Sequence, residues 1–178
     1  MEEGMPGAGT DRTKEWVAGG PAVILVEPQL GENIGAAARA MANFGLSQLR
    51  LVRPRDGWPN VQARRSASGA DRILDEARLF DTLEEAIADC NFLFAATARQ
   101  HDQAKPVVGA DEAARMTAPR AAAGEMVAFM FGRERNGLEN DEARQRQHVL
   151  VHPATQRRRQ QHLPRRLSCF PLRRAAAS

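Results

Sequence analysis

Apolar residues in this chain come in short, nearly unbroken runs, and polar or alanine-rich stretches of helical character lie between them. Four runs stand out: residues 22–26, 48–53 closed by Pro54, 91–97 and 126–131. Each is the length of a strand rather than of a buried helix, and the last is apolar throughout, as a strand covered on both faces should be. Between them the pattern predicts a helix over 33–43 stopped by Gly45, a short helix over 61–66, another over 72–77, one opened by Thr82 with Glu85 three residues on, and an acid-led one over 111–116. Residues 148–153 alternate like a strand, over too few positions to weigh much. Strands alternating with helices predict an α/β fold, a mostly parallel sheet with helices on both faces. Ligands of such sheets lie beyond the carboxyl ends of the strands, the edge where Asn33, Thr97 and Gly132 fall.

Composition adds a boundary. The 178 residues suit one domain with a genuine core, and the net charge of +3 with a pI near 9.5 would ordinarily point to a nucleic-acid partner. That charge is unevenly placed. Residues 143–178 hold nine arginines and no acid, which leaves 16 basic against 22 acidic groups before them. The chain therefore divides into a Gly- and Glu-rich mobile lead-in over 1–20, a body over 21–142 and an arginine-rich tail over 143–178. Two cysteines are too few for a disulfide framework and fit a reducing compartment, with Cys90 a small buried apolar residue rather than a nucleophile. No run is long enough to span a membrane and no signal peptide opens the chain, so a cytoplasmic protein without a membrane partner is expected. No clustering of His, Cys and carboxylates calls for a metal.

The first strand and helix carry the earliest candidate chemistry. Asn33 falls at or just before the first helical turn and Arg39 two turns on, along a helix whose Gly35, Ala36, Ala37 and Ala38 admit a close neighbour. Taken alone, Asn33 reads first as a helix cap and Arg39 as part of a solvated face. Arg64 and Arg65 sit on the short helix after the second strand, where they would meet phosphate or simply face water.

Three stretches together, Asn33-x-Gly35-x-x-x-Arg39, Ala96-Thr97-Ala98-Arg99 and Phe131-Gly132-Arg133-Glu134-Arg135-Asn136-Gly137-Leu138, resemble the SpoU-type RNA 2′-O-ribose methyltransferases of the SPOUT class, and within them the TrmJ-like tRNA cytidine/uridine methyltransferases. The resemblance spans residues 21–142. It implies S-adenosyl-L-methionine as cofactor, tRNA or another RNA as substrate, a homodimer, and a C-terminal trefoil knot around the cofactor. On matching positions Asn33 and Arg39 fall on the substrate-side pair, with Arg39 in the catalytic role. Ala96, Thr97 and Ala98 fall on one cofactor-binding loop and Gly132 on the other, while Glu134 falls on an acid that is either catalytic or architectural. The enzyme reading requires the Arg39 guanidinium to face the cavity that residues 96–98 and 132 line.

The sequence leaves the family pattern near its end. The third motif, a proline-led strand end followed by Ser-Leu-Asn-Leu and an alanine-rich helix, is due about twenty residues after Gly137, and an arginine-rich run from Gln156 to Arg166 stands there instead. The break points to a shifted reading frame after about Glu142. Since the missing segment would thread the knot and close the pocket, weak or absent cofactor binding is expected for this chain. Two other readings compete. In one, the tail grips RNA without catalysis; in the other, the fold is a nucleotide-binding Rossmann enzyme, against which stands the lack of Gly-x-Gly-x-x-Gly after the first strand.

Overall fold

A computed structural model describes residues 20–97, 107–133 and 148–151. The first strand, β1 (Ala22–Val26), leads into α1 (Gly31–Asn43), and β2 (Leu49–Val52) into α2 (Val61–Ala67) and α3 (Asp71–Asp75). There follow β3 (Arg78–Phe80), α4 (Leu83–Ile87), β4 (Phe92–Thr97), β5 (Val107–Val108), α5 (Ala110–Ala122), β6 (Val127–Phe131) and β7 (His148–Val151). The strands form one sheet in the order β3-β2-β1-β6-β4-β7-β5, and every described pairing is parallel. Among the described residues no helix is long and apolar enough to cross a membrane.

Side chains alternate between the two faces of the sheet. Val23, Leu49 and Leu51 pack against α1, α2 and α3, and on the same face Phe94 and Val127 pack against Ala113 of α5. On the other face Ile24, Val26, Val52, Ala95 and Met130 meet Leu83 and Ala86 of α4. Helices thus cover both faces, as the alternation of runs predicts. Phe94 and Phe129, from neighbouring strands, stack with ring centroids 5.0 Å apart.

Differences from the sequence reading have local causes. The short β3 was not predicted, because Arg-Leu-Phe carries no periodicity of its own; it forms by pairing with β2 at the sheet edge. The fifth helix runs six residues past the predicted end, through Thr117 and Pro119. Thr117, a poor helix former when solvated, is buried here and donates its hydroxyl to the Ala113 carbonyl at 2.8 Å. Residues 148–151 are a full strand, placed between β4 and β5 and pairing with both. The Thr82 cap is present, its hydroxyl accepting from the Glu85 amide at 3.3 Å. The C-terminal stretch expected to form the knot lies outside the described residues.

Candidate active site

Because all the strands run one way, their carboxyl ends share one rim. Register fixes who is next to whom there: Leu25 lies opposite Phe131, Ala96 opposite Phe131 on the other side, and Thr97 opposite Val151. The loop that follows β1 therefore stands beside Gly132, and Gly132 beside the end of β4. Ala96 and Gly132 are small, so a ligand can reach the backbone of these two adjacent strand ends.

The loop after β1 enters α1 two residues earlier than predicted. Leu30 holds the cap position without a side-chain cap, and Asn33 is inside the first turn, its amide donating to the Leu30 carbonyl at 3.1 Å. The helix start therefore does not use Asn33 as its cap, and the exposed side chain lines a groove of about 400 Å³ together with Leu25, Ala37, Phe44, Phe131 and Gly132. This groove is chiefly apolar; Phe44 is 55% and Phe131 38% exposed in it. Arg39 is also exposed but does not line the groove, since six residues of α-helix turn its side chain about 120° around the axis from Asn33. The chain thus brings Asn33 and Gly132 to one groove and leaves Arg39 on the outer shoulder of α1, so the expectation that its guanidinium faces the cavity is not met within the chain, because helical periodicity turns it away from Asn33. Ala98 and Glu134 lie outside the described residues, and of Thr97 the backbone alone is described.

On α2, Asn60 caps the helix through Oδ1, which accepts from the Gln62 and Ala63 amides at 2.9 and 3.2 Å. Arg64 is paired with Asp75 and, at 3.6 Å, with Asp71, while Arg65 is exposed. Among the described residues no group of His, Cys, Asp and Glu side chains is placed to hold a metal.

A charged cluster that the sequence reading passed over lies on the same rim. Glu27, directly after β1, accepts from Arg53 Nε at 3.0 Å and Nη2 at 2.6 Å through Oε1, and from Arg133 Nε at 2.6 Å through Oε2. Burial pushes its carboxyl up, but hydrogen bonds from Arg53 and Arg133 outweigh burial and hold it below the usual glutamate value. The signal available in the sequence was an acid and an arginine each placed directly after a buried strand. Cys90 is half-buried rather than buried, at the edge of the core beyond α4; burial still pushes its thiol up to about 11, with Arg50 opposing and Asp89 adding to the rise.

Comparison with known proteins agrees with this geometry. The sequence profile of the SpoU rRNA methylase family matches residues 20–158. The chain is 44% identical over 130 residues to the tRNA (cytidine/uridine/adenosine-2′-O-)-methyltransferase TrmJ of Pseudomonas aeruginosa, a match covering 72% of this chain and 50% of that protein. It is 39% identical over 120 residues to the tRNA (cytidine/uridine-2′-O-)-methyltransferase TrmJ of Salmonella typhimurium, covering 67% and 49%. Its fold superposes on the crystal structure of TrmJ from Zymomonas mobilis (Z. mobilis ZM4) with a TM-score of 0.71 and 51% identity, over 75% of this chain and 58% of that one. The chain spans about half the length of the curated relatives it matches. A profile match over residues 20–158, most of its length, on a parallel sheet shared with these relatives makes this chain a member of the SpoU rRNA methylase family.

Proposed function

We propose that this chain is the methyltransferase domain of an S-adenosyl-L-methionine-dependent RNA 2′-O-ribose methyltransferase, with tRNA as substrate, working in the cytoplasm as a homodimer. The observation that carries the reading is the register that sets Ala96 and Thr97 of β4 beside Gly132, with Asn33 on the groove next to them. tRNA is favoured over other RNA because both curated relatives described above are tRNA methyltransferases. The exposed apolar surface around Phe44 and Phe131 supports a second copy as partner.

The cofactor, when bound, supplies an electrophilic methyl on a sulfonium. Ala96, Thr97 and Gly132 would hold it, and Ala98 completes the loop by the family's pattern. The small residues at these strand ends fit a ligand gripped through backbone groups. Asn33 orients the substrate from the groove wall. Arg39, exposed on α1 and turned away from the groove of its own chain, is assigned to a phosphate of an RNA laid on that helix, held by a two-pronged contact. Glu134 is assigned to the second motif loop.

The departure from the family pattern is placed after β7 rather than at Glu142. Support comes from the pairing of β7 with β4 and β5 and from a profile match that continues to residue 158. The sequence that follows, from Gln156 on, lacks the third motif, so weak or no cofactor binding is expected for the chain as it stands. Calorimetry with S-adenosyl-L-methionine, alongside transfer of labelled methyl to tRNA by the chain and its Arg39→Ala variant, tests the reading. Micromolar cofactor affinity would overturn the expected impairment. Transfer that Arg39→Ala leaves unchanged would remove Arg39 from the mechanism. A non-catalytic RNA-binding role gains support from steeply salt-dependent binding without any transfer.

A further inference from the structure

The geometry points to a phosphodiester-binding site for the RNA strand on Arg53, Arg55 and Arg133, organised by Glu27 and distinct from the α2 arginines. It rests on the reading that RNA is the substrate, and it names where the RNA backbone lies. The site is a pocket of about 310 Å³ lined by Glu27, Gln29, Arg53, Arg55 and Arg133, with no apolar residue among the described lining. It adjoins the groove that holds Asn33 and Gly132, since Pro28 and Gln29, like Gly132 and Arg133, are chain neighbours that face one cavity each. A strand crossing this rim thus passes from the charged pocket to the groove over two backbone segments.

Three features set this pocket apart from ordinary surface charge. First, one carboxylate orders two guanidiniums: Oε1 takes the Nε and Nη2 of Arg53, and Oε2 takes Arg133, from residues 26 and 106 positions away. The Asp81 carbonyl accepts from Arg53 Nη1 at 3.3 Å, fixing the plane of that guanidinium, whose side chain stays 51% exposed. A fixed, half-exposed guanidinium suits a tetrahedral oxyanion, because little rotamer freedom is left to lose on binding. Second, Glu27 and Arg53 leave their strands in the left-handed region, at φ of +45° and +44°, which non-glycine residues seldom adopt. Their strands are in register, Val26 opposite Val52, so two strained exits stand side by side at the rim, the kind of place where strain is kept for function. Third, Arg55 lines the same pocket and pairs with its exposed sequence neighbour Asp56, a solvent-screened contact of small net strength. By contrast Arg64 faces two aspartates on its own helical pair.

The test is fluorescence anisotropy of the full chain with a labelled tRNA transcript across a range of salt, for the native sequence and for Arg55→Gln, Arg53→Gln, Arg64→Gln and Glu27→Gln. Arg55→Gln is expected to weaken binding about three- to tenfold at low salt and to lower the log–log salt slope by about one, the signature of one lost phosphate contact. Arg53→Gln is expected to do the same, whereas Arg64→Gln leaves the slope unchanged. Glu27→Gln is expected to loosen binding despite raising the net positive charge, because it frees the two guanidiniums it orders; a merely electrostatic role would tighten it. Inorganic phosphate at matched ionic strength should not displace the transcript, which separates an RNA backbone site from one for free phosphate. Slopes unaltered in both Arg53→Gln and Arg55→Gln, or a loss confined to Arg64→Gln, would overturn the site. So would displacement by inorganic phosphate. Altered slopes in a chain that binds S-adenosyl-L-methionine with micromolar affinity yet transfers no methyl to the transcript would leave the site standing and defeat the enzymatic reading instead.

Discussion

Arg50 is 1% exposed in the middle of β2, and its guanidinium is neutralised by Asp89, to which Nη2 donates at 2.8 Å, with the Ala86 carbonyl accepting at 2.6 Å. The pair ties α4 to the underside of the sheet, and its other end is half in water, so its strength lies between that of a surface and a buried ion pair. Asp89→Ala leaves a buried cation short of its partner and is expected to cost about 1–3 kcal/mol, read from urea unfolding. Hydrogen bonds from arginines hold both Glu27 and Asp89 below their ordinary values of 4.5 and 3.8, against burial that works the other way. A carboxyl depressed in the folded state adds stability that is full above its unfolded pKa and lost as pH falls through the folded one. Stability should therefore begin to drop below about pH 4.5, and Glu27→Gln should flatten that drop; equal slopes for the two proteins in acid titrations of the unfolding midpoint would refute the assignment.

At the level of elements, the closest packing in the described molecule joins α1 to α2. A Cβ on Gly35 would sit well inside contact distance of the Ala63 carbonyl and of Ser66 Oγ, a hydroxyl with the Glu32, Gln62 and Ala63 carbonyls all within reach as acceptors of its one proton. The obstacle is backbone, which cannot swing aside. Gly35→Ala is expected to force the helices apart and lower stability by about 2–3 kcal/mol, with a matching fall in Tm. At Gly31 the obstacle is only the Asn60 side chain, so Gly31→Ala should cost the α2 cap and no more, about 1 kcal/mol. A reversed order of the two variants in thermal melts would contradict this account. The small residues of the first motif thus have a packing duty on the side facing α2, separate from any duty toward a ligand.

For the whole molecule, the order of the strands decides where a truncation hurts. Residues 148–151 lie between β4 and β5 and are paired to both. Ending the chain at residue 142 would uncover the edge of β4 and leave β5 without its partner, whereas ending it at 151 keeps the sheet. A chain of residues 1–142 is accordingly expected to melt lower and expose more amides along β4 in hydrogen exchange than one of 1–151; identical behaviour would mean that β7 adds nothing to the sheet.

The sequence by itself determined the elements whose evidence is local. Apolar runs pointed to β1, β4 and β6, the Leu-Arg-Leu-Val run closed by Pro54 to β2, Thr82 with Glu85 to the start of α4, and three motif stretches to the family. Only the tertiary structure decided what depends on partners far along the chain. The strands β3 and β7 are too short for their pattern to weigh much and exist through pairing, and α5 passes Thr117 where the packed position buries that side chain. The same holds at the rim. The local pattern places Arg53 directly after a strand but does not say which acid it meets, since a guanidinium's surroundings are set by which strand ends stand side by side, and that order follows from long-range pairing in the sheet.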